Sequence, residues 1–361
     1  RLDNLGAASV LFYREPIEMA AAEGAWMIAA DGTRYLDFYN NVPSVGHCHP
    51  RVAEAVARQI ARLNIHTRYL IPEVDAYLER LKEKLPSPLA NIVMTCSGSE
   101  ANDLALRVAQ HATGARGAIV TETAYHGNTA AVTAISPSAF KTGDLPDHVV
   151  SVPAPSAARH GEDVAAGFAR DVQQAADLLQ TRGHGLAAFI CDSIFSSDGV
   201  FADPPGFLSP AVDVARSAGG LFIADEVQPG FARTGEAFWG FARHKVTPDM
   251  VTMGKPMGNG FPMAGLAVRP ELLTRFCDTV GYFNTFGGNP VAAAAGMAVL
   301  EVIEEEDLQG NAARVGGHLK QRLLSLAFAS AFTFAFTASS ASSRAFSSAC
   351  SDAQNSTFTG V

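Results

Sequence analysis

The chain has 361 residues, 48% of them hydrophobic, which is more than one compact domain usually holds and enough to bury a substantial core. Its 27 basic and 36 acidic residues leave a formal charge of −9, which disfavours general attraction to nucleic acid or anionic membrane. No apolar run approaches the roughly 20 residues of a membrane span, and the widely spaced Cys48, Cys96, Cys191, Cys277 and Cys350 form neither a CxxC pair nor a metal-ligand pattern, so free thiols, no metal and a cytoplasmic location are expected.

The chain opens at Arg1 rather than Met, which leaves a preceding segment open. Residues 1–90 read as a separate lobe. In it, Trp26-Met27-Ile28 and Tyr35-Leu36-Asp37-Phe38 flank the turn Asp31-Gly32 and predict a hairpin. Pro50 to Leu63 predicts a helix with proline in its first turn, preceded by Gly46-His47-Cys48-His49 as a loop. Two histidines and one cysteine there do not make a complete metal-ligand set.

From about Asn91 to Val268, short apolar or β-branched runs alternate with longer helical patterns, the signature of an α/β domain with a largely parallel sheet. The predicted strands are Ile92 to Thr95, Ala118 to Thr121, Ala188 to Cys191, Leu221 to Ala224, Met250 to Met253 and Ala264 to Val268. Open α/β sheets bind ligands at the carboxyl ends of their strands, where Asp192, Asp225-Glu226 and Gly254-Lys255 fall. After about Leu326 the composition collapses into Ala, Ser, Phe and Thr, with Arg344 and Asp352 the only charged residues. A disordered tail, a frameshifted end and an erroneous stretch all fit that pattern, and no function is drawn from it.

Ser97-Gly98-Ser99-Glu100-Ala101-Asn102 follows a predicted strand and opens a helix. It reads either as a plain cap or as a phosphate seat made from free backbone N–H groups at a helix N-terminus. Asp225 alone could cap a loop or pair with Arg233, and Lys255 alone could be a solvated charge. Together they meet the needs of pyridoxal phosphate: an amine to form an imine and a carboxylate to keep the ring nitrogen protonated. Tyr125-His126-Gly127 brings an aromatic face to the same end of the sheet. Thr285-Phe286-Gly287-Gly288-Asn289-Pro290 is a glycine-rich turn suited to a second phosphate contact.

These ordered motifs, from about residue 10 to 325, resemble the class III, fold type I aminotransferases. Within that class, Asn41-Val42, Val45 to Pro50, Thr67-Arg68-Tyr69-Leu70 and Thr252 to Gly260 resemble the alanine–glyoxylate aminotransferase 2-like branch, which also contains phospho-lyases. The resemblance implies a large pyridoxal-phosphate domain over 66–300, with a mainly parallel seven-stranded sheet flanked by helices. A small α+β domain is implied from residues 1–65 and 301–361. It further implies Lys255 as the Schiff-base lysine, Asp225 on the pyridine nitrogen, Val227 and Tyr125 on the two ring faces, and Ser97, Gly98 and Ser99 around the phosphate. Gln228 would lie near the phenolic oxygen, with His126 and Asp192 also in the cofactor site. Thr285 would reach the phosphate of a neighbouring subunit, which makes a homodimer.

One departure bears on the reaction. Where many members carry Glu-Pro-hydrophobic-Gln-Gly-Glu, this chain has Asp192-Ser193-Ile194-Phe195-Ser196-Ser197, so the second glutamate is Ser197. The expectation is amino transfer from an amine or amino acid to a keto acid or aldehyde. The alternative is a phospho-lyase acting on O-phosphoethanolamine or a similar phosphorylated amine, with Arg68 a candidate to hold the leaving phosphate. A non-catalytic scaffold would have no need of both Lys255 and Asp225.

Overall fold

The structure, a computed structural model, describes residues 2–8, 11 and 13–329, so Arg344, Cys350 and Asp352 in the Ala/Ser/Phe/Thr-rich end lie outside the described residues. A compact unit spans Arg1–Gln309, and the chain from Gly310 groups separately. The described part of that second group belongs to the helix Leu308–Ala329. No helix among the described residues is long and apolar enough to cross a membrane.

Strands β1 (Met19–Glu23), β2 (Trp26–Ala29) and β3 (Arg34–Leu36) form an antiparallel meander. The β2–β3 pair is the hairpin expected around Asp31-Gly32. The next helix is Pro50–Arg62, as the sequence predicts.

Seven strands then build the main sheet: β4 (Asn91–Thr95), β5 (Gly117–Thr121), β6 (Val149–Val152), β7 (Leu186–Asp192), β8 (Leu221–Asp225), β9 (Met250–Met253) and β10 (Ala264–Val268). Their order is β4-β10-β9-β8-β7-β5-β6, and only β10 runs against its neighbours.

The sheet is buried on both faces, and its side chains alternate between two apolar layers. Phe189, Phe222 and Val251 join one layer with Phe168, Val172 and Leu179 of the helix Val164–Thr181. Ile190, Ile223 and Met250 join the other with Leu104, Ala105 and Val108 of the helix Gly98–Thr113. The sheet is thus clamped between helices, and strand ends emerge at a fixed edge.

Candidate active site

Because β5, β7, β8 and β9 run parallel, their carboxyl ends open on the same side. Tyr125 and His126 follow β5, Asp192 ends β7, Asp225 ends β8 and Lys255 follows β9. The antiparallel β10 starts at that edge, so Phe261, Pro262 and Met263 arrive there too, while β4 delivers Cys96 and Ser97. These residues line one cleft of about 360 Å³ with Gly98, Ser99, Val227 and Gln228, a volume within the range of small-molecule sites. All the cofactor-site candidates read from the sequence meet here except Thr285, which is exposed on the segment following Tyr282 and does not line this cleft.

Asp225 is buried, and three donors hold its carboxylate. His126 Nδ1 lies 2.7 Å and Asn102 Nδ2 3.0 Å from Oδ2, and the Val227 N–H donates to Oδ1 at 3.1 Å. An ionised carboxylate only accepts, so the His126 proton belongs on Nδ1, and Nε2 is left buried with no protein partner among the described residues. Arg233, the alternative partner for Asp225, donates instead to the carbonyls of Gln228 (2.9 Å) and Asn41 (2.7 Å). Arg68 stacks on the Phe283 ring with 4.0 Å between guanidinium carbon and ring centroid, and it does not line the Lys255 cleft.

Burial pulls the Lys255 ammonium below the ordinary lysine range, against the opposing pull of Asp225 and Asp192. A depressed lysine offers more of the neutral amine at a given pH, which suits a nucleophile. Burial also pushes the Asp192 carboxyl up to about 6, although hydrogen bonds from Ser196 and from the Ile194 N–H oppose the rise.

Ser97 caps the helix Gly98–Thr113, its Oγ accepting from the Glu100 N–H at 3.3 Å, while Glu100 reaches back to the Cys96 N–H at 3.0 Å. The capping reading of Ser97 therefore holds, and it leaves the first turn facing the cleft. No side chain fits at Gly98, where a Cβ would lie 2.9 Å from Val227 Cγ2. Gly127, at φ +138°, approaches Ser99 so closely that a Cβ would meet its Oγ at 2.4 Å. Glycine at both positions lets backbone and serine hydroxyl crowd against one end of the cleft.

Glu226, beside Asp225, is fully buried and faces away from this chemistry. Its carboxylate accepts from Ser193 Oγ (2.6 Å), Gly240 N–H (2.8 Å) and Phe241 N–H (2.9 Å). Burial outweighs those bonds and pushes the carboxyl from 4.5 to about 7. With its folded pKa above the unfolded one, the folded chain binds more protons than the unfolded chain between about pH 4.5 and 7. Stability from this group is therefore lost as pH rises through that window. Glu226→Ala strands three donors and is expected to destabilise by about 3 kcal/mol or more. Denaturant titrations should show the gap between wild type and variant narrowing from pH 5 to 7.5, and an equal gap at both pH values would exclude the account.

Asn102 is the main site residue that the sequence reading quoted without a role. It is fully buried, its amide nitrogen donating to Asp225 and to the His126 carbonyl (2.8 Å) and its oxygen accepting from Thr252 Oγ1 (2.7 Å). The available signal was a polar residue inside a helical face of Ala101, Leu104, Ala105 and Val108. Asn41 and Ser196, which contact Gln228, gave no such signal.

The donor set fits pyridoxal phosphate. One cleft presents a lysine depressed by burial, a buried carboxylate, an aromatic side chain and a glycine–serine helix N-terminus, with the orphaned His126 Nε2 among its walls.

The sequence model of the family "Aminotransferase class-III" matches residues 13–333. An alanine–glyoxylate aminotransferase 2-like protein of Drosophila melanogaster is 41% identical over 88% of this chain and 67% of its own length. The mitochondrial alanine–glyoxylate aminotransferase 2 homolog 2 of Arabidopsis thaliana is 44% identical over 90% of this chain and 69% of its own. Among solved structures, a phospholyase from Arthrobacter in complex with phosphoethanolamine superposes with a TM-score of 0.87 at 42% identity, covering 91% of this chain and 78% of that one. The chain belongs to the class III aminotransferases, enzymes that work with pyridoxal phosphate.

Proposed function

We propose that Lys255 carries the cofactor and moves the proton in a transamination from an amine or amino acid to a keto acid or aldehyde. The observation that carries this reading is the meeting of Lys255 and Asp225, from adjacent parallel strands, in one cleft. When bound, pyridoxal phosphate supplies an electron-accepting ring conjugated to the substrate nitrogen. Asp225 holds a proton on the ring nitrogen and is itself oriented by His126 and Asn102. The Lys255 amine would take the proton from the substrate carbon that bears nitrogen and later return a proton.

Ser97, Gly98 and Ser99 seat the phosphate at the helix N-terminus. Val227 and Tyr125 would pack on opposite ring faces, Gln228 would lie near the phenolic oxygen, and Asp192 would line the same site. Thr285, exposed in this chain, serves the phosphate of a neighbouring copy, so the working form is a homodimer with shared sites. Division into a large domain over 66–300 and a small domain from 1–65 and 301–361 belongs to the same proposal. So does a cytoplasmic location, although the Arabidopsis relative is named mitochondrial.

The likeness to the Arthrobacter phospholyase, together with Ser197 where many transaminases carry glutamate, favours a second reading. In it, Lys255 removes the same proton and phosphate then leaves the adjacent carbon. One experiment separates the two: the holoenzyme is mixed with amines, amino acids and O-phosphoethanolamine without any keto acid. A lasting loss of visible absorbance with one carbonyl product per site is expected for transamination. Release of inorganic phosphate with the absorbance restored would replace that reading by phospho-lyase activity.

A further inference from the structure

A directed chain of hydrogen bonds runs along one wall of the cleft. Asp192 Oδ2 accepts from the Ser196 hydroxyl, Ser196 Oγ accepts from Gln228 Nε2 at 2.5 Å, and Gln228 Oε1 accepts from Asn41 Nδ2. Arg233 fastens both ends of the amide pair through the carbonyls of Gln228 and Asn41. Ser196 itself does not line the cleft, whereas Asp192 and Gln228 do.

The direction of the chain follows from what each group can do. Above about pH 6 the Asp192 carboxylate is ionised and only accepts, so the single Ser196 proton goes to it and the Ser196 oxygen must accept from Gln228. That acceptance turns the Gln228 amide nitrogen toward Ser196 and its oxygen toward Asn41. A primary amide has two N–H bonds, and one is left for an acceptor in the cleft. With the amide reversed, Gln228 would present a carbonyl oxygen there, which repels an anionic ligand oxygen. Asn41 comes from the N-terminal segment, so the relay also ties that segment to the cleft wall.

We infer that Ser196 is a positioning residue that, with Asp192 and Asn41, locks the Gln228 amide so that its free N–H points to a bound anionic oxygen. The inference rests on the proposal that Gln228 serves the phenolic oxygen of pyridoxal phosphate. Removing an N–H donor leaves the oxygen it served more basic, so the bound chromophore titrates at higher pH.

The test is a pH titration of the visible absorbance of holoenzyme for wild type, Ser196→Ala and Ser196→Thr. Ser196→Ala is expected to raise the midpoint by about half a unit to one unit. Ser196→Thr, which keeps the hydroxyl, should restore it. A Ser196→Ala midpoint that coincides with wild type, or one that Ser196→Thr does not restore, overturns the proposal. Should Ser196→Ala not fold, Asn41→Ala reads the relay from its other end: the same rise is expected, and an unmoved midpoint overturns it. Failure of the underlying cofactor assignment looks different, because the visible band would then survive Lys255→Ala.

Discussion

Lys255→Ala is expected to abolish the visible absorbance of the holoenzyme and to lower turnover by about a thousandfold or more. Lys255 is the only lysine or arginine among the described residues that line the cleft, so no neighbour can take over the imine. Only Gly254 separates it from β9, and burial shifts its amine toward the neutral, nucleophilic form. Lys255→Arg separates nucleophile from charge: it keeps a cation but cannot form the imine, so it should be as colourless as the alanine variant. An alanine variant with the wild-type spectrum would remove Lys255 from its assigned role.

How far the sequence exposes this architecture depends on burial. Strands β5, β7, β8, β9 and β10 are buried along almost their whole length, and their continuous apolar runs identify them without tertiary information. Strand β6 escapes that reading because Val149–Val152 is a short edge strand with Ser151 inside it, and β1 escapes because Met19–Glu23 is alanine-rich and mostly exposed. The same holds in the site. Asp225 and Asp192 end apolar strands and Lys255 follows one by two residues, a local pattern. The partners of Gln228 are not local, since Asn41 and Ser196 reach it from distant parts of the chain through a loop and a strand end. Nor does sequence decide between Arg233 and His126 as the partner of Asp225; only the packing of β5 and β8 toward one edge does.

Asp225→Ala tests the other half of the proposed catalytic pair. The variant is expected to retain part of its cofactor, because Lys255 and the helix N-terminus at Gly98 are untouched, yet to lose activity by about a hundredfold or more. Truncation also strands His126 Nδ1, the Val227 N–H and one of the two Asn102 Nδ2 N–H bonds, so stability should fall by about 1–3 kcal/mol or more. Asn102→Ala divides the two effects. It removes one donor from Asp225 and leaves Thr252 Oγ1 unpaired, but keeps the carboxylate in the cleft. If Asp225 acts through charge on the ring nitrogen, Asn102→Ala should lower the denaturation midpoint while costing far less turnover than Asp225→Ala. Equal losses of turnover in the two variants, or wild-type turnover in Asp225→Ala, would mean that the carboxylate organises the cleft rather than driving the reaction.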